Sequence, residues 1–158
     1  TNTGTMVISG SVKRSLVTIT GTDAITQIEH AGRVNLLGEV GGNALVTLTL
    51  PAATGSGLEY KFIVSVVNTS SYKIVVADAT DTIDGSVNIL DADANAQTAF
   101  VTAAASDTVT LNGTTTGGGS IGDTITLTDI ATNQYAIEGQ LVCAAGSNPA
   151  TPFSATAS

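Results

Sequence analysis

The sequence predicts an all-β fold, a single β-sandwich, jelly-roll-like or β-barrel domain, and three observations point there. Apolar and polar residues alternate in about ten short runs separated by Gly, Asn, Asp and Ser, the spacing of sandwiches and barrels. Only 11% of the residues are charged, whereas helical bundles cover their exposed faces with Glu, Lys and Arg. The 158 residues suit one core, and β-branched runs give it apolar surface to bury, which argues against disorder.

The strands follow in order. Residues 16–20, 34–37, 44–50, 59–67 and 72–77 each alternate and end at turn formers. Later candidates are residues 86–90, 97–103, 108–111, 124–128 and 135–143. One short helix is expected at residues 23–30, with Asp23 as its cap and Ile25 and Ile28 facing inward. The alanine-rich stretch 91–105 reads as a turn entering a strand, because its Asp/Asn start precedes Phe100-Val101-Thr102. Both ends are small and polar, so residues 1–15 read as an extended N-terminal arm, 16–145 as the β domain and 146–158 as a C-terminal tail.

Charge is unevenly placed. All five cations, Lys13, Arg14, Arg33, Lys61 and Lys73, fall in residues 1–73, and nine acids without a Lys or Arg fill residues 74–158. Such an acidic half repels polyphosphate, so no nucleic-acid partner is expected, and a solvated acidic face is. No run approaches a membrane span, no secretory leader is expected from the first twenty residues, and no membrane partner is predicted. The single Cys143 excludes an intrachain disulfide and reads as a small buried hydrophobe. Three Phe, three Tyr and no Trp leave few aromatics, and those within strand-like runs read as core or interface.

Several motifs invite chemistry. Gly117-Gly118-Gly119-Ser120-Ile121-Gly122 matches both the dinucleotide fingerprint and the nucleophile elbow, but both need a helix after the glycines and a strand follows here. The elbow also needs a histidine, and the one present, His30, precedes Ser120. A flexible loop between strands 107–111 and 123–127, near-identical phrases that read as a possible pair, is the reading. Asp78, Asp81, Asp84, Asp91 and Asp93 crowd sixteen positions and could hold calcium, but Ala96 and Thr102 stand where a calcium loop needs Gly and Glu. Loop-capping Asx turns are expected instead, as they are for the sequons at Asn68 and Asn112. His30 reads as a structural surface or turn residue. No cofactor, metal or catalytic residue is predicted.

The phrase "HAGRVNLLGEVGGNALVTLTLPAATGSGLEYKFIV", followed by "SYKIVVADATDTIDG" and the ending "NPATPFS", resembles segments of tailed-bacteriophage virion structural proteins, in particular a capsid decoration, or cement, group. The likeness covers roughly residues 16–154, and its best block is Thr49-Leu50-Pro51-Ala52-Ala53-Thr54-Gly55. The resemblance implies a non-enzymatic protein on the outer surface of a phage head, bound to the major capsid protein as a homotrimer. On that reading the arm, with Lys13, Arg14 and Leu16, is the candidate for partner contact. The alternative is a fibre or tail-appendage domain binding host surface glycan, which predicts aromatic or acidic residues clustered at one end. A hydrolase using Ser120 or a carboxylate pair is the third.

Overall fold

In the computed structural model, which describes residues 13–157, the first half of the chain is a coil that crosses between two sheets at every connection. Its strands are β1 (Leu16–Ile19), β2 (Asp23–Ala24), β3 (Val34–Leu37), β4 (Leu45–Thr49), β5 (Glu59–Val64) and β6 (Ser71–Val75), with the one-turn helix α1 (Gln27–His30) between β2 and β3. Odd-numbered strands join one sheet and even-numbered strands the other. Each strand therefore lies parallel to the one two before it. The register stacks like on like: Ile19, Leu37 and Val64 form one inward row, and Leu48 faces Ile74 across the other sheet. All five are buried.

The second half closes the two layers. β7 (Thr82–Asp91) and β8 (Ala96–Val101) form a hairpin; β9 (Thr108–Leu111) crosses to the even sheet; β10 (Thr124–Ala131) and β11 (Gln134–Cys143) form a second hairpin; and β12 (Phe153–Ser154) ends the even sheet. The orders are β1-β3-β5-β10-β11-β7-β8 and β12-β9-β6-β4-β2. Among the described residues both sheets keep open edges, so the domain is a β-sandwich and not a closed barrel. It is also mixed, with five parallel pairings and five antiparallel ones. The two near-identical phrases do not pair. β9 and β10 lie in different sheets, because residues 112–123 turn the corner of the sandwich.

Between the sheets sit Tyr60, Tyr72, Tyr135 and Phe62, all buried, with Cys143 at the end of β11. Burying each ring contributes on the order of 1.5–3 kcal/mol. The Tyr60 and Tyr135 rings meet edge to face, 6.3 Å apart at 68°. Burial raises the pKa of all three tyrosines, and two hydroxyls reach loop carbonyls: Tyr135 donates to Pro51 O at 2.8 Å and Tyr72 to Gly38 O. Tyr72→Phe is expected to lower the stability by about 1 kcal/mol with the fold intact, read from the urea midpoint at unchanged slope.

Three expectations are corrected. Thr26, not Asp23, caps α1, accepting from Glu29 N at 3.2 Å, and while Ile25 is buried, Ile28 is 86% exposed. His30 is not at the surface: it is 2% exposed, and its Nδ1 accepts from Thr26 N at 3.0 Å, so the ring staples its own turn. Nor does the acidic half simply face solvent, since Asp81, Asp107, Asp123 and Asp129 are all buried. Each accepts from backbone N–H groups: Asp81 from Ala53, Asp107 from Thr156 and Ala157, Asp123 from Gly118 and from Val142 of β11, Asp129 from Thr54, Gly55 and Ser56. Asp107 thereby ties down the segment read as a tail, and β12 pairs with β9.

Candidate docking surfaces

The three residues read as partner contacts lie together at one edge. Leu16, the first residue of β1, is 67% exposed. Just before it, Ser15 O accepts from Val34 N at 3.0 Å. Arg14 reaches across β3 to Glu59, Nη1 to Oε1 2.8 Å. That ion pair is half exposed and contributes at most about 1 kcal/mol, but it fixes where the chain enters the domain. Lys13 is exposed beside it. Residues 1–12, most of the expected arm, lie outside the described residues.

A second surface forms where β5 ends and β10 begins, from the loops 38–44, 65–70 and 112–123. Glu39 is the clasp of the first two. Its carboxylate accepts from Thr69 N at 2.5 Å, Ser70 Oγ at 2.7 Å and Gly41 N at 2.8 Å, bonds that hold its pKa down at about 2. Asn68 ties in the third: its Nδ2 donates to Gly38 O at 2.9 Å and its N–H to Gly119 O at 3.1 Å. Asn68 and Asn112 each accept from the N–H two residues on, the Asx turns expected at both sequons.

The glycine loop is packed, not flexible. Gly117 and Gly118 are buried with φ of 75° and 89°, and a Cβ on either would stand 2.6 Å from the Cβ of Leu141 or Leu111. Asp123 accepts from Gly118 N at 2.6 Å and from Val142 N at 3.0 Å; burial still raises its pKa above the ordinary value against these bonds. A strand follows the glycines, so neither helix-dependent motif is built. Ser120 sits at the end where β5 finishes and His30 at the end where β3 starts, and β3 and β5 are parallel. The two are a strand length apart.

These tied loops present aliphatic side chains to solvent. Val67 is 72% exposed, Ile121 65%, Leu45 63% and Val66 41%. The bond from Gly122 N to Val64 O, 2.9 Å, brings Ile121 beside the start of the valine pair. Sequence reading passed over these residues. The signal was present in Val66-Val67, which breaks the alternation of β5, and in an isoleucine placed before a turn glycine.

The block Thr49–Gly55 proves to be a fixture of the fold. Pro51 O takes the Tyr135 hydroxyl, and the next turn wraps the Asp129 carboxylate, which accepts from Thr54 N, Gly55 N and Ser56 N at 2.7–3.1 Å and from the Ser56 hydroxyl at 2.6 Å. Burial alone would raise its pKa, but the Ser56, Gly55 and Thr54 bonds outweigh it and hold it at about 2. Gly55 takes the left-handed φ of 77° that this turn needs, and a Cβ added there would stand 3.2 Å from Ala131 Cα. Asp91 likewise accepts from Asp93 N and Ala94 N as a loop cap, and among the described residues no group of three His, Cys, Asp or Glu is placed to hold a metal. Comparison with family models, with curated proteins and with solved structures finds no match for this chain.

Proposed function

We propose that this chain is a non-enzymatic capsid decoration protein, bound to the major capsid protein on the outer surface of a phage head, where copies grouped in threes brace neighbouring shell subunits. The observation that carries the reading is the aliphatic end formed by Val66, Val67, Ile121 and Leu45: large exposed side chains on loops held by Glu39 and Asn68 and, for Leu45, at the start of the strand that follows one of them. Exposed apolar groups on a preorganised surface lose little entropy when they dock. The resemblance noted at the Thr49–Gly55 block supports the setting. The arm with Lys13, Arg14 and Leu16 supplies a second contact, and weak contacts repeated by symmetry give avidity.

Co-sedimentation with separated heads and tails, each stripped of its own copies, tests this. Saturable binding to heads at a count set by capsid symmetry is expected. The double variant Val67→Asp, Ile121→Asp, on side chains that leave the core untouched, is expected to weaken binding by roughly tenfold or more while the unfolding midpoint holds. Removing residues 1–15 is expected to weaken it further. Binding to tails alone, or full binding by the double variant, refutes the reading.

A further inference from the structure

The outer face of the larger sheet carries a polar hollow that neither docking surface uses. In a sheet, side chains two apart share a face and neighbouring strands stand about 4.8 Å apart, so the register sets out the face in rows. One row runs Lys61, Thr126, Glu138, Ser86 across β5, β10, β11 and β7, and the next continues Thr124, Gln140, Asn88. Lys61 and Glu138 thus stand roughly 10 Å apart with Thr126 between them, and among the described residues neither forms an ion pair. Their polar ends are left for something else.

The hollow measures about 450 Å³. Gly139, one of the residues lining it, occupies an inward position of β11 between Ile137 and Leu141. A Cβ there would stand 2.7 Å from Ile125 Cγ2 and 3.1 Å from Val87 Cγ1. Those two side chains fill the inward space, and on the outer face the short side chains are Thr126 and Ser86, on either side of Glu138. The longer Lys61, Glu138 and Gln140 line the hollow with them.

We propose that this hollow binds a neutral oligosaccharide. Its volume lies within the range of ligand sites, roughly 300–1,000 Å³, but its lining is polar, which suits a ligand held by hydrogen bonds. One ammonium, one carboxylate, two amides and the hydroxyls of Ser86, Thr124 and Thr126 supply both donors and acceptors, and a ligand's hydroxyl groups need both. The single cation and single anion cancel, and the chain's net charge of −8 repels anionic ligands. An extended peptide would seek a sheet edge, where backbone groups are open, and not a face. No aromatic residue lines the hollow for stacking, so affinity is expected at roughly millimolar Kd.

The inference does not rest on the capsid reading, and its test is separate. The 15N-labelled full chain is titrated with maltotriose, mannotriose and triacetylchitotriose while amide shifts are followed. Saturable shifts centred on Thr126, Glu138 and Gln140 with at least one of these sugars are expected. Glu138→Ala and Gln140→Ala, both solvent-exposed, should each weaken that binding by about fivefold without moving the unfolding midpoint. No saturable shift with any of the three, or shifts elsewhere that both variants leave unchanged, overturns the proposal. Loss of co-sedimentation with heads in the same variants overturns it too, since the face would then belong to the shell contact.

Discussion

Asp129→Ala is expected to be the most damaging conservative truncation in the molecule, lowering the stability by roughly 3–5 kcal/mol. The carboxylate accepts from three consecutive N–H groups and from the Thr54 and Ser56 hydroxyls, and is 2% exposed. Alanine leaves those donors facing a small void. Against a total of roughly 5–15 kcal/mol for a domain this size, the loss is a large fraction. Asp129→Asn separates charge from shape: it keeps one acceptor oxygen and should cost less. Its pH signature is specific. The native carboxyl is held down at about 2, so its stabilisation is present above the ordinary carboxylate pKa of about 4 and is lost as pH falls toward 2. The difference between wild type and Asp129→Asn should therefore shrink over that window, measured by urea unfolding at each pH. Asp81 and Asp123 run the other way. Burial raises both, so their contribution is complete below the ordinary value and fades as pH rises through the raised one. A difference that stays constant down to pH 2 would show that Asp129 acts by shape alone.

Gly85→Ala is the second large effect. Gly85 has φ of 140°, and an added Cβ would lie 2.2 Å from Ile137 O, the backbone of the strand it pairs with. Neither the backbone angle nor the space admits a methyl group, and relief requires parting β7 from β11. A loss of about 3 kcal/mol is expected, a fall in Tm of roughly 6–12 °C. Gly21→Ala is the control, because a Cβ there meets nothing within 4 Å and its φ is not positive. It should shift Tm hardly at all. Equal effects at the two positions would show that crowding at Ile137 O is not what requires glycine at 85.

The two-layer β architecture was legible in the sequence because period-two alternation reports one buried face, and every predicted strand overlaps a real one, while the two-residue β2 and β12 were too short to show the period. Which sheet a strand joins was not, since alternation is silent about the partner; the likeness of residues 107–111 to 123–127 suggested a pair and the chain put them in opposite layers. The acids misled for a related reason. An aspartate buried under three N–H groups and one in solvent look alike in a sequence, and only the tertiary approach of residues 54–56 to β10 sets Asp129 apart. Of the candidate site, Lys13, Arg14 and Leu16 were proposed from their place at the entry to the first strand. Val67 and Ile121 were signalled only by the broken alternation at Val66-Val67 and the glycine after Ile121, because an aliphatic side chain otherwise reads as core until the loops around it are seen.

The position of β11 has a consequence for how the molecule comes into being. It lies between β10 and β7, which have no other link within their sheet. Until residues 134–143 have been synthesised, the larger sheet exists as two separate pieces, β1-β3-β5-β10 and β7-β8, each with a bare hydrogen-bonding edge. The domain should therefore mature late and as a whole, with refolding slowed by long-range closure and prone to intermolecular strand exchange at high concentration. A ribosome-arrested chain ending before residue 134 is expected to be protease-sensitive at β7 and β8, which only β11 joins to the larger sheet, and one that exposes β11 fully to be resistant there.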